Sequence, residues 1–285
     1  MPEIRIGDVV ARKSYGYDTV FKVANIQKMH NGDRILTLKG IDFRIEADAP
    51  ESDLKVVPDK EFEKISSKAN EKTKRSSERN KTNESMAFFR KERQRDNQVF
   101  TKMGRILHID GAKDYMDKCK EYYQNLGAQA VVIDVPEKEQ PLMVYELLQQ
   151  YKPDILVLTG HDGMIKGNSD FNNIQNYRNS LYFVNAVKEA RKYSSSLNEL
   201  VIFAGACQSN FEAILGAGAN YASSPKRVFI HMFDPAVVAG KISISGIGKV
   251  LSVNEVVYDT NTGFEGVGGL ETWGKARIGA PKSSY

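Results

Sequence analysis

At 285 residues, with 40 Lys and Arg against 36 Asp and Glu, the chain has room for one sizeable core plus a small module, and its near-balanced charge is no global nucleic-acid footprint. Only two cysteines occur, Cys119 and Cys207, which leaves no disulfide framework and points to a reducing compartment. The opening MPEIRIGDVV lacks the basic-then-apolar pattern of a secretory signal and no apolar run approaches a membrane span, so a cytoplasmic protein without membrane contact is expected.

Residues 1–57 read as short β segments at 8–12, 20–26, 34–39, 43–47 and 54–57, separated by turn formers such as His30-Asn-Gly-Asp33. This spacing predicts a small SH3-like β-barrel. Residues 58–103 turn Lys-, Glu-, Ser- and Asn-rich with few apolar side chains, and such a segment cannot bury enough surface to offset its ordering entropy. It reads as a charged linker, flexible or partly helical.

From 104 to 285 the pattern becomes α/β. A strand at 105–109 leads to a helix with Tyr115, Cys119, Tyr122 and Leu126 on one stripe, and a strand at 131–133 leads to a helix through 144–148. A strand ending at Thr159 is followed by a long loop, 163–176, and a helix carrying Leu181, Val184, Val187 and Ala190. A strand at 200–204, a helix at 211–215 and a strand at 227–231 continue the series. Alternation at this spacing implies βαβ units, hence a mostly parallel sheet with helices on both faces. The Gly-rich last forty residues are expected to form an antiparallel edge and loops.

Two of these apolar runs end in reactive residues: Thr159-Gly-His161-Asp-Gly163 and Gly205-Ala-Cys207-Gln-Ser209. In open α/β sheets ligands bind at the carboxyl edge of the strands, so a thiol and an imidazole delivered there together suggest cysteine nucleophile catalysis. The small residues around Cys207 allow a sharp strand-to-helix turn, which would put the thiol at a helix N-terminus. Cys119, on its helical stripe, reads as a core residue. Two histidines compete for the base. His161 precedes the nucleophile, whereas His231 follows it, as in the nucleophile elbow of α/β-hydrolases and class I glutamine amidotransferases. Two separated cysteines and scattered histidines make no ligand cluster, so neither metal nor cofactor is expected.

The order His then Cys on adjacent strands resembles the caspase, gingipain and clostripain group of cysteine peptidases, and Ala206-Cys207-Gln208 matches three positions of the caspase signature Q-A-C-[RQG]-G. That group usually has Gly directly after the His. Here Asp162 intervenes before Gly163, so Asp162 would supply the backbone N–H at that position. The chain is further similar, nearly end to end, to the YabG family of sporulation peptidases: the blocks are 7–15, Thr159-Gly-His-Asp162, Phe203-Ala-Gly-Ala-Cys-Gln-Ser209, Gly216-Ala-Gly-Ala-Asn220, Ala222-Ser-Ser-Pro225 and Arg277-Ile-Gly-Ala-Pro281. The resemblance implies a peptidase made in the mother cell of a spore former and then placed on the forespore surface and spore coat. Its substrates would be proteins of the coat and cortex, including germination-related precursors.

Carried over by motif, Cys207 is the nucleophile and His161 its partner, with the N–H groups of Cys207, Asp162 and Gly163 as oxyanion donors. The arginine-specific relatives imply an acidic pocket, for which Asp110 at the end of the first strand is the first choice and Asp162 and Asp234 are alternatives. Trp273, the only tryptophan, is a candidate pocket wall or a core anchor. Cleavage after basic residues implies self-cleavage in the linker, where Arg75, Arg79, Arg90, Arg93 and Arg95 lie. A nucleic-acid-binding barrel is the competing reading, although 3–57 carries no aromatic-rich basic stripe.

Overall fold

The computed structural model describes residues 3–58, 75, 78 and 99–283. The N-terminal part is a five-stranded antiparallel sheet: β1 (Val9–Arg12), β2 (Val20–Lys28), β3 (Arg34–Gly40), β4 (Glu46–Pro50) and β5 (Leu54–Val56), in the order β4-β3-β2-β1-β5. Alternating apolar residues place Val10, Phe21, Val23, Leu36 and Leu38 in its core. The strand expected at 43–47 begins only at Glu46. The Gly40 N–H still donates to the Ile45 carbonyl at 2.9 Å, so residues 41–44 form the loop between β3 and β4, and this end of the hairpin reaches the second sheet through isolated bridges from Phe43 to His231 and from Ile45 to Asp162.

After β6 (Phe100–Lys102), the α/β part contains β7 (Ile106–Asp110), α1 (Lys113–Leu126), β8 (Ala130–Asp134), α2 (Gln140–Tyr151), β9 (Ile155–Thr159), α3 (Ser180–Tyr193), β10 (Val201–Ala204), α4 (Phe211–Gly216), β11 (Tyr221–Ser223) and α5 (Asp234–Ile244). The C-terminal elements are β12 (Val250–Leu251), α6 (Val253–Val257), α7 (Gly263–Gly266), β13 (Val267–Gly269), β14 (Thr272–Trp273) and β15 (Arg277–Gly279). The sheet order is β13-β11-β10-β9-β7-β8, parallel except for β13, which pairs antiparallel with β11 as the edge expected from the last forty residues. The helices expected from the stripes at Tyr115, Cys119, Tyr122 and Leu126 and at Leu181, Val184, Val187 and Ala190 form as Lys113–Leu126 and Ser180–Tyr193.

Alternation along the central strands divides the core. Ile106, Ile155, Val157, Val201 and Phe203 pack with α1, α5 and α6, while Leu107, Leu156, Leu158, Ile202 and Ala204 pack with α2, α3 and α4. Helices therefore cover both faces, and β9 and β10, buried on both sides, read as continuous apolar runs for that reason. One expected strand is absent. Residues 227–231 form no strand of the sheet, whose next member after β10 is β11, because the chain there pairs with residues 42–44 rather than with a sheet neighbour. Of the linker arginines, Arg75 is exposed and helical, while Arg79, Arg90, Arg93 and Arg95 lie outside the described residues.

A candidate active site at the sheet edge

Register brings the two reactive ends together. Leu158 stands beside Ala204 on one side and Ile109 on the other, so Gly160-His161, Gly205-Ala206-Cys207 and Asp110 all emerge at one carboxyl edge. Thr159 Oγ1 donates to the Gly205 carbonyl at 2.8 Å and ties the strand ends. Ser209 ties the loops: its hydroxyl accepts from the Ala206 N–H at 2.9 Å and donates to Asp162 at 2.8 Å. Gln208, next to Cys207, holds a left-handed φ of 55°, a conformation that costs a non-glycine residue energy and concentrates at functional sites. Its N–H donates to Ser224 Oγ at 2.9 Å, which helps hold that turn.

His161 is positioned from behind by a residue that sequence reasoning missed. Glu137 accepts from the His161 backbone N–H at 2.6 Å and sits 3.8 Å from the ring Nδ1. A Cβ at Gly160 or Gly111 would collide with that carboxyl and push it aside, so its approach to His161 depends on both glycines. The face of the ring packs on Tyr115, 5.4 Å between centroids.

The edge is occupied by residues 42–46 of the N-terminal sheet. The Arg44 carbonyl accepts from the N–H groups of Cys207 at 3.1 Å and Asp162 at 3.2 Å. The Arg44 N–H donates to the Ile230 carbonyl at 3.1 Å, the Met232 N–H donates to the Asp42 carbonyl at 2.9 Å, and the Glu46 N–H donates to the Asp162 carbonyl at 3.0 Å. The guanidinium is fully buried and forms a bidentate pair with Asp110, 3.0 Å at each end. It also donates to the Met232 carbonyl at 2.8 Å and lies 4.8 Å from the Tyr115 ring centroid. Nothing in the sequence marked Arg44; a lone arginine between Phe43 and Ile45 reads as the outward residue of a strand.

Electrostatics follow from this burial. Desolvation pushes the Asp110 carboxyl up, but Arg44 and His108 outweigh it and hold the carboxyl well below the usual range. Burial drives the Cys207 thiol well above its ordinary value, and the Ile230 N–H, 3.1 Å from Sγ, offsets only part of this. The expected lowering at a helix N-terminus is absent because α4 is a single short turn-and-a-half and the site is closed to water. Cys207 is 0% and His161 4% exposed. Asp162, which accepts from Gly163, Asn179, Ser180 and Ser209, is nonetheless raised by burial to about 6.

Among the described residues one group has metal-ligand spacing, His108, Asp110 and Cys119. It lines the slot that the Arg44 guanidinium fills, with Cys119 Sγ 3.9 Å away and its thiol pushed up by burial to about 12. A cation already sits there.

The family model described as YabG peptidase U57 matches residues 5–281. The chain belongs to the YabG peptidase family. The sporulation-specific protease YabG of Bacillus subtilis (strain 168) is 38% identical over 290 residues, spanning 99% of each chain. No helix among the described residues is long and apolar enough to cross a membrane.

Within this YabG-family chain the other expected site residues lie as follows. The Gly163 N–H donates to the Asp162 carboxylate at 2.8 Å, so the amide directed at the Arg44 carbonyl from this loop is that of Asp162. The side chain of Asp162 is spent on its own loop, and Asp234 accepts from Asn261 N, Thr262 and His231 N, so neither carboxylate faces the guanidinium. His231 stacks on Phe233, contacts Asn261 Nδ2 at 3.1 Å and bridges Phe43, forming part of the wall beside 42–44. Trp273 is 48% exposed on the β12–β14 ribbon, and Lys275, two residues on, donates its N–H to the Ile242 carbonyl near the far end of α5 from Asp234. It is not among the groups around Arg44.

Proposed function

We propose that this YabG-family peptidase is a cysteine endopeptidase of sporulation that cuts after arginine, with a caspase-like catalytic domain behind an SH3-like barrel. The observation that carries the reading is the pose of Arg44: a guanidinium forked onto a buried carboxylate while its own carbonyl lies between the amides of Cys207 and Asp162. An arginyl substrate bound this way presents its carbonyl to Cys207. The thiol, giving its proton to His161, attacks that carbon, and the two amides stabilise the oxyanion, as preorganised donors do in acyl transfer. His161 then protonates the leaving amine, and water releases the acyl group.

Asp110 supplies the specificity, because a buried carboxylate accepts a planar bidentate arginine and is left without a counter-charge by an uncharged side chain. The Bacillus subtilis relative, a sporulation-specific protease, supports a role in sporulation. The same reading takes coat and cortex proteins as substrates, synthesis in the mother cell, later residence on the forespore and coat, and self-cleavage in the linker. The test is incubation of the purified chain with an unstructured polypeptide and mapping of cut sites by mass spectrometry. Cuts after Arg, absent in Cys207→Ala and His161→Ala, support the reading. Cuts that persist in Cys207→Ala end it.

A further inference from the structure

We infer that the Arg44–Ile45 peptide bond, in the β3–β4 connection, is the enzyme's own self-cleavage site, presented to Cys207 within the same molecule. The inference rests on the cysteine peptidase reading above and adds a cut in the N-terminal sheet to the self-cleavage proposed in the linker.

The backbone on both sides of the bond is held as a cleft holds a substrate. On its N-terminal side, Asp42 and Arg44 pair antiparallel with Ile230 and Met232, which fixes an extended chain by main-chain hydrogen bonds that any sequence can make. On its C-terminal side, Ile45 bridges Asp162 and the Glu46 N–H donates to the Asp162 carbonyl. Between these clamps the Arg44 carbonyl points at two amides, and one of them belongs to the nucleophile itself. Cys207 packs in one apolar cluster with Ile45, the residue after the bond, and with Ile230, whose carbonyl accepts from the Arg44 N–H.

An ordinary domain contact explains this arrangement poorly. A buried Arg–carboxylate pair gains little net stability over well-packed apolar residues, since desolvation cancels most of the attraction. That pair is instead what an arginine-directed cleft demands of a bound chain. Until the segment moves, the thiol is fully covered, so the enzyme's first accessible substrate is itself.

The step balances as ordinary acyl transfer. Cys207 Sγ bonds to the Arg44 carbonyl carbon as His161 takes the thiol proton; the bond from that carbon to the Ile45 nitrogen breaks as His161 returns the proton to the nitrogen. Water then splits the thioester, leaving an Arg44 carboxylate, an Ile45 amine and the thiol. Because β3 and β4 stay paired through Lys39 and Glu46, the pieces remain associated after the cut. The product must therefore be read under denaturing conditions.

The experiment is denaturing mass spectrometry and N-terminal sequencing of the freshly made full-length chain, followed over time, beside Cys207→Ala and Arg44→Ala. The expected result is a new N-terminus at Ile45 in the wild type, absent in both variants, appearing at a rate unchanged by 100-fold dilution. An intact 44–45 bond in wild-type protein that cuts an added arginyl peptide would overturn the inference while sparing the peptidase reading. So would an Ile45 terminus in Cys207→Ala, or a rate that falls with dilution. If the wild type cuts neither itself nor the peptide, the peptidase reading falls too. Should Arg44→Ala fail to fold, Arg44→Gln, which keeps the stem but removes the charge, is expected to reduce cleavage at 44–45 at least 10-fold.

Discussion

Asp110 and Glu137 do different work from adjacent strand ends, and substitution separates them. Asp110 grips a guanidinium with two charge-assisted hydrogen bonds, each worth about 1.5 kcal/mol or more, so Asp110→Asn is expected to lower kcat/KM for arginyl peptides about 100-fold. The loss should be confined to charged substrates: with a glutaminyl peptide of the same sequence the variant and wild type should converge. Equal losses on both peptides would remove Asp110 from specificity. Glu137 touches no part of the bound arginine and acts through His161, whose backbone N–H it accepts. Glu137→Gln is therefore expected to lower kcat about 10-fold with KM unchanged, since what suffers is the orientation of the proposed acid–base group rather than binding. A raised KM with unchanged kcat would place Glu137 in the pocket instead.

At the scale of the elements, the site is made by where β9 and β10 stop. The order His161 after β9, then Cys207 after β10, puts the proposed base one strand before the proposed nucleophile, and His231 enters as wall beside residues 42–44. His161→Ala should thus cost a factor of about 100 or more, the range of a lost acid–base group, whereas His231→Ala should cost less than about 10-fold. The reverse ranking in kcat would favour the elbow-type hydrolase. These strand ends were legible in the sequence because β9 and β10 are buried on both faces and so contain uninterrupted apolar runs, with glycine marking the turn after each. The helices declared themselves by stripe. What stayed hidden was made by contacts across long separations: a Phe-Arg-Ile triplet reads as a strand, and only the pairing of 42–46 with Ile230, Met232 and Asp162 shows that it reaches the second sheet. Glu137 was hidden for the same reason, as a lone acid before α2 whose role depends on glycines from two other loops. Residues 227–231 misled because an apolar run signals burial, not its cause.

For the whole molecule, the site couples the two sheets through buried ionisable groups, and their pH dependence has opposite signs. Asp110 is depressed in the folded state, so its contribution to stability is fully present above the unfolded carboxylate value of about 3.9 and is lost only in stronger acid. Between pH 5 and 7 it is constant. Asp162 is raised to about 6, so as pH falls through that value the native state takes up a proton that the unfolded chain does not bind until about pH 3.9. In this window the folded state holds more protons than the unfolded one, and stability contributed by Asp162 rises as pH falls. The expectation is that the urea-unfolding free energy of Cys207→Ala minus that of Cys207→Ala with Asp162→Asn increases from pH 7 to pH 5, the Cys207→Ala background preventing self-cleavage. Asp110 is common to both chains and cancels. A flat difference would mean that Asp162 is ionised throughout, its four donors outweighing its burial.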